Sequence, residues 1–597
     1  MSKLICGAAM EKNPASLDWI RKRDGRLVPF EADKISQSLF AAGESLNRPD
    51  AFTARELTDG VLHFLVAELN GSVPNTSQVA DVVIKVVREL GQSAIADAYA
   101  NFAGRRHLVP KLQVGNKREE GNEGARNEAG KAVGKKERKE LPSPEVAVRH
   151  DPRLLMRAVA GNCFQDYSLR EIFTRDIAAA HEEGLVTIAS LETPFEIQGG
   201  VLAPVEIGRL VETIEESRSN IGQFIAVDGP EFTDQTNSAT STASWVREFC
   251  IGLRATGLRA VVNLNSGIPP SWAQSLATGP LFAEKTASSI HESDRPADWL
   301  LDQILAEKSS FAQIHWHLGE RDFLPKNGGR IHNLTRWILE GSPLTLAFDR
   351  PGQPISLAEG LDRRYSALLI AVGLHLPRLA QQPGVRAAPD VFLRKLGSLT
   401  RLALTAAIQK RRFLTRHRRR QPAFLVDRAR LAVVPLGLEA VTRIYTGQGI
   451  LPGSPGADFA GRIVHRLHEI LHEEEPLNNL IACLDSPPMM ESRPEFPSPR
   501  AAWEIESARV DDPDQIAGLT TWNEAISIRE QIRAAGLLQA SGWAGTAWVL
   551  LPKDNSCNPE EVGNILRFAW KETGVSRIRF VSGYHSGRQL IAPWEER

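Results

Sequence analysis

Four residues near the N-terminus have the types and spacing to hold a phosphate chain. Lys22 and Arg23 stand just before an Asp24-Gly25 pair, and Arg21 and Arg26 flank them. Asp-Gly is a strong signal for a two-residue hairpin turn, because Gly tolerates the positive φ that such turns need. The basic residues are thereby gathered at a hairpin tip. Lys34 follows where the sequence Glu31-Ala-Asp-Lys-Ile35 opens a helix, and unpaired backbone N–H groups at a helix start also favour anions. Cations on a hairpin that face a helix start make a triphosphate cradle, and a solvated basic hairpin is the plainer alternative.

The elements that would position these residues are legible over the next eighty residues. Apolar residues recur at helical spacing at Ile35/Leu39, at Leu57/Val61/Leu65, at Val79/Val82/Val83/Val86/Val87 and at Ile95/Ala98/Tyr99/Phe102. Thr76 or Ser77 is placed to N-cap the third helix. Residues 19–106 are therefore expected to form a hairpin followed by four helices. This segment resembles the ATP-cone, a nucleotide-sensing domain that precedes many ribonucleotide reductases. The residues that carry the likeness are Lys22-Arg-Asp-Gly-Arg26, Val28-Pro-Phe30, Asp33-Lys-Ile35, Val73-Pro-Asn-Thr-Ser77 and Ala98-Tyr99 with Arg105-Arg106. The resemblance implies ATP or dATP as an allosteric ligand. It implies phosphate contacts from Lys22, Arg23 and Lys34, with the polar group of Thr76 close by.

Size and composition set the frame. A chain of 597 residues exceeds one hydrophobic core. The net charge of −1 gives no global pull toward nucleic acid or an anionic membrane. No run of about 18 apolar residues is present to span a bilayer. The five cysteines are scattered, and none forms a Cys-x-x-Cys pair. That argues against a disulfide framework or a structural zinc site, and a cytoplasmic location is expected. Residues 111–148 mix Lys, Arg and Glu with Gly, Asn and Ala and contain no aromatic residue. Such a stretch cannot bury enough apolar surface to order itself, so it is expected to be a flexible charged tether.

Beyond the tether, apolar runs at Leu185–Ile188, Gly222–Val227, Arg259–Asn263, Phe311–His315, Thr345–Phe348, Ala367–Leu374 and Ala547–Leu551 alternate with helical patterns. One amphipathic helix is expected over 168–184, ended by Gly184, and another from Val391 to about Arg419. The latter closes on a cationic cluster, Lys410-Arg-Arg412 and Arg416 to Arg420, whose expected role is a solvated helix end. Strands alternating with helices predict a sheet or barrel wrapped by helices.

This region resembles the anaerobic class of ribonucleoside-triphosphate reductase. The residues are Ala178–Ile188, Ala371–Ala380, Phe392-Leu-Arg-Lys-Leu396, Val434–Val441 with Thr446-Gly447, and Gly545-Thr546 with Asn558-Pro-Glu-Glu561. The resemblance implies a small hairpin-plus-helices ATP-cone tethered to a ten-stranded α/β barrel. The domains would run 1–110, 111–150 as linker and 151–597. It also implies a cysteine on a central loop near 344–348 and a second near 194–199, and neither stretch contains one. Cys163 and Cys250 are the nearby thiols, and each reads as a small buried apolar residue. Phe580-Val-Ser-Gly-Tyr584 is an imperfect copy of a glycyl-radical motif with Gly583 at the radical position, but its register fits the last barrel strand. His315-Trp-His317 sets two imidazoles on one side of a strand with Glu320 near, a spacing that fits structural histidines better than a metal centre.

The expectation is a nucleotide-responsive regulatory or binding homologue without the radical residues. It would need no metal, and it would act alone, as a homo-oligomer or with a reductase subunit. A working anaerobic reductase using Cys163 or Cys250 with Gly583 is the alternative.

Overall fold

The computed structural model describes residues 19–105, 152–485 and 527–582, apart from short internal stretches at 23–24, 70–71, 203–209, 218–219, 229–238, 266–300, 302–303, 306–311, 325–327, 341, 343, 387, 418–422 and 552–557. The expected tether lies outside the described residues. The described residues divide into two compact units, one holding residues 19–105 and the other residues 156–485 and 527–582.

In the first unit, β1 (Trp19–Arg21) and β2 (Leu27–Pro29) form the antiparallel hairpin, with Ile20 opposite Val28. Gly25 adopts φ 82°, the left-handed conformation that selects Gly there. Four helices follow: α1 (Asp33–Ser45), α2 (Ala51–Leu69), α3 (Thr76–Glu89) and α4 (Ser93–Arg105). They close on Leu39, Phe40, Leu57, Val61, Leu65, Val83, Val86 and Val87, all buried. The hairpin-and-four-helix expectation matches this unit.

The second unit opens with α5 (Pro152–Tyr167). The single helix expected over 168–184 is instead a π-helical turn over Ser168–Ile172, an extended break at Phe173 and Thr174, and α6 (Arg175–Glu182). Gly184, at φ 69°, ends it as expected.

The strands are β3 (Val186–Ile188), β4 (Ile197–Val201), β5 (Ile221–Asp228), β6 (Arg259–Asn265), β7 (Ala312–Leu318), β8 (Leu344–Phe348), β9 (Ser356–Ala358), β10 (Leu361–Asp362), β11 (Ala367–His375), β12 (Arg430–Leu436), β13 (Ala482–Leu484), β14 (Ala547–Leu551) and β15 (Arg577–Ser582). Strands β4 to β8 run parallel in sequence order. Strands β11, β12 and β13 are also parallel, as are β14 and β15. The two halves meet antiparallel at β11–β4 and β15–β8. The amide of Ala544, just before β14, donates to the carbonyl of Leu484 in β13 at 2.9 Å and draws the remaining edges together. Ten strands thus surround one interior, with β3 added antiparallel to the far half of β11. Strands buried on both faces read as continuous apolar runs, and that is why most were legible in the sequence.

His375, at the end of β11, shares a 2.7 Å hydrogen bond with Thr187 of β3. Burial first, then Arg378 and His181, pushes its pKa down to about 4 from 6.5. The unfolded chain therefore takes up this proton more readily than the folded one. The stabilising contribution is fully present above pH 6.5 and is lost as pH falls toward about 4. It amounts to on the order of 3 kcal/mol. Urea titrations on either side of this window should show the loss, and His375→Gln should flatten it.

Candidate functional site

Of the four predicted contacts, Lys22 follows β1, Lys34 lies in the first turn of α1 and Thr76 opens α3. Lys22 is exposed immediately after β1, and the turn is closed by Lys22 N–H to the Arg26 carbonyl at 2.9 Å and Gly25 N–H to the Lys22 carbonyl at 2.9 Å. The amide of Arg21 donates to the Pro74 carbonyl at 2.8 Å, and Arg21 bridges to Asn75. This docks β1 against the start of α3 and sets Lys22 near Thr76, the half-buried first residue of that helix. Lys34 is the second residue of α1 and is exposed, with its ammonium 3.1 Å from Glu31. Such a surface pair is worth at most about 1 kcal/mol. Arg23 lies outside the described residues.

The cap of α3 corrects the sequence reading. Asn75, not Thr76 or Ser77, is the N-cap. Its Oδ1 accepts from the amides of Ser77 at 3.0 Å and Gln78 at 2.9 Å, and Gln78 Oε1 accepts from the Asn75 amide at 2.9 Å. Asn, Ser and Thr cap about equally well, so three consecutive candidates could not be ranked from type alone. The amides of Asn75, Ser77 and Gln78 are therefore occupied by the cap. Asn75→Ala should destabilise the cone by about 1 kcal/mol, readable as a lower urea midpoint for this unit.

The barrel interior has two walls. On one side Ala226, Ala371, Ala432, Val434, Leu436 and the ring of Phe224 form an apolar cluster, and Gly199 leaves room for that ring. The hairpin β9–β10 enters this space between β8 and β11, and Leu357, Ala358 and Leu361 pack into the cluster. Its other side meets charge. Arg430 Nε donates to the Gly360 carbonyl at 2.6 Å, and its Nη1 pairs with Asp362 at 2.9 Å. Asp485 accepts from the Gly360 amide at 2.7 Å and from Arg577. Arg577 also reaches Ser356 at 3.1 Å. Glu359, 3% exposed at the hairpin tip, accepts from Thr546 at 3.2 Å and lies 3.4 Å from His315. Burial works to raise the Glu359 carboxyl, but His315, Arg577 and Arg579 outweigh it and hold it below its ordinary range.

His315 and His317 do face one side of β7, but they have different partners. His317 sits between Asp349, at 3.0 Å, and Asn263, at 2.9 Å. Glu320 is exposed in the following 3-10 turn. Among the described residues, no group of three His, Cys, Asp or Glu side chains is placed to hold a metal ion.

The thiols stand differently from expectation. Cys250 is buried in the helix Ala239–Thr256, as read, but Cys163 is exposed on α5. The thiol that packs against the interior cluster is Cys483 of β13, which the sequence reading did not single out. Burial first, with Asp485 and Asp362 adding to it and Arg430 opposing, pushes that thiol up to about 11. The hairpin and its flanks, residues 349–366, contain no cysteine. Gly583 lies outside the described residues.

The cationic end of the helix Pro389–Arg416 is another correction. Lys410 is buried rather than solvated, and it donates to the carbonyls of Thr193 at 3.0 Å and Pro194 at 2.8 Å. Burial lowers its pKa to about 8 against the pull of Glu196 and Glu192. Arg411 binds the carbonyls of Asn478 and Asn479. Both side chains thus serve packing.

Comparison with known proteins fits this geometry. Residues 19–107 match the ATP cone domain family. No curated protein sequence matches the chain. Among solved structures, the anaerobic ribonucleotide reductase of Thermotoga maritima in complex with dATP and CTP is similar at a TM-score of 0.53 and 10% identity, covering 71% of this chain and 81% of that one. The same reductase with dATP bound in the specificity site aligns at a TM-score of 0.52 and 11% identity, over 74% and 86% of the two chains. Identity this low shows the fold alone, and the cone is too short to supply a likeness of that extent. The N-terminal unit is an ATP-cone domain, and the unit that follows is a mixed α/β sheet domain with the fold of the anaerobic ribonucleotide reductases.

Proposed function

We propose that the protein is an ATP- and dATP-responsive regulatory or binding homologue of the anaerobic ribonucleoside-triphosphate reductases, without their radical chemistry. The observation that carries this reading is the content of the barrel hairpin. Glu359 stands at its tip, and no thiol occurs between residues 349 and 366. Thiyl chemistry needs a sulfur facing the interior from a defined position; Cys163 and Cys250 are both on helices, and Cys483, which meets the interior cluster, lies on strand β13 and not on the hairpin. Lys22, Arg23, Lys34 and Thr76 would hold the nucleotide in the cone. Nucleotide would shift the protein between two arrangements, as differential affinity for those arrangements requires.

The domains would run 1–110, 111–150 and 151–597, in a cytoplasmic protein that binds neither membrane nor nucleic acid. No helix of the described residues is long and apolar enough to cross a membrane. The readout is self-association or docking on a reductase subunit. Sedimentation velocity with and without ATP or dATP tests it, together with hydrogen exchange of the barrel. Nucleotide is expected to change one or both, and a distribution and exchange pattern unmoved by either nucleotide would sink the regulatory reading.

A further inference from the structure

The barrel interior leaves a group of buried polar atoms unanswered. His315 is fully buried, and neither ring nitrogen has a hydrogen-bond partner. Its Nε2 is 3.4 Å from Glu359 Oε1 but not aligned to bond it. Glu359 Oε2 has no partner, and neither does Nε of Arg577, which is 1% exposed. The charge of Arg577 acts on both His315 and Glu359. Buried polar atoms are almost always paired, so four unpaired ones on three adjoining side chains mark a place for a further molecule with both donors and acceptors.

We propose that His315, Glu359 and Arg577 form an acid–base site for a small neutral molecule that carries an acidic O–H or N–H. Arg577 Nε–H would donate to an acceptor atom of the ligand, Glu359 Oε2 would accept from a second N–H or O–H of it, and His315 would take the acidic proton. In that step the ligand's X–H bond breaks, an N–H bond forms on the imidazole, and the electron pair stays on X. The new imidazolium is paired by Glu359, and the new anion by Arg577. No oxidant or reductant is needed. Around the three residues, Arg579 faces Glu359, while His317 is engaged by Asp349 and Asn263. Burial first, then Arg577 and His317, lowers the His315 pKa against the pull of Glu359, so the neutral ring, with one nitrogen able to accept, is favoured. This goes beyond the nucleotide-sensing reading, because it gives the barrel a closed-shell activity of its own.

The test is nuclear magnetic resonance of histidine-labelled full-length protein, with 3-amino-1,2,4-triazole, which has a ring N–H and an amino group, as the probe acid. Loss of a signal in His315→Gln assigns the ring. At neutral pH the ring should be uncharged and should shift saturably with the aminotriazole. Glu359→Gln, which keeps the shape and removes the charge, should weaken that binding by about tenfold or more. Should Glu359→Gln not fold, Thr546→Val removes only the hydroxyl donated to Glu359 and should weaken binding less. A cationic His315 at neutral pH would make the cluster a structural ion pair and overturn the proposal. So would a ring that the aminotriazole leaves unmoved. The readout is local to β7, so it does not depend on whether the cone binds nucleotide.

Discussion

In the Lys22→Ala/Lys34→Ala protein, affinity for ATP and dATP should fall by about a hundredfold or more. Each lysine is expected to contribute a charge-assisted bond to phosphate, of about 1.5–3 kcal/mol apiece. Both side chains are exposed and neither belongs to the core that closes α1 to α4. Lys34 gives up only its exposed contact with Glu31, so the variant should fold normally. Equilibrium dialysis with labelled nucleotide measures the loss directly. A neutral control at the same hairpin, Leu27→Ala, should bind as the parent does, because Leu27 is 53% exposed and carries no charge. Equal affinity in the double variant and the parent would remove these two lysines from the site.

The second large effect is expected at Arg577. Its guanidinium pairs with Asp485 and holds Ser356, and the two charged side chains are 1% and 5% exposed. Arg577→Met leaves Asp485 with the Gly360 amide but removes the guanidinium that pairs with it directly. Removing one partner of a buried pair costs about 3–5 kcal/mol, chiefly through the stranded charge. The barrel's urea midpoint should fall accordingly. Arg577→Met/Asp485→Leu removes both charges and should recover part of that loss. A double variant no more stable than Arg577→Met would mean the cost is packing, not charge.

These two sites also mark what the sequence could and could not say. The cone was readable because its signals are local. Asp24-Gly25 dictates a turn, apolar residues repeat every third or fourth position, and Lys22 and Lys34 are twelve residues apart. Most barrel strands were readable as apolar runs, but β12 and β13 were not singled out, and β4 was missed because Ile-Gln-Gly-Gly-Val carries two glycines. One of them is explained only by the ring it faces, since a Cβ on Gly199 would lie 2.4 Å from Phe224. The hairpin β9–β10 was missed because its strands are too short for a period-2 pattern to register. The charged wall was invisible because its members are remote. Arg577 is 92 residues from Asp485 and 221 from Ser356. Only closing the ring of strands brings them together.

The measurement that bears most directly on the central claim is hydrogen–deuterium exchange of the full-length protein with and without dATP. Slower exchange is expected at residues 20–36 and 74–78, which carry β1, the start of α1 and the start of α3, with loss of that protection in Lys22→Ala/Lys34→Ala. Unchanged exchange across both stretches at saturating dATP would contradict it, and the cone would then be a fold without its ligand.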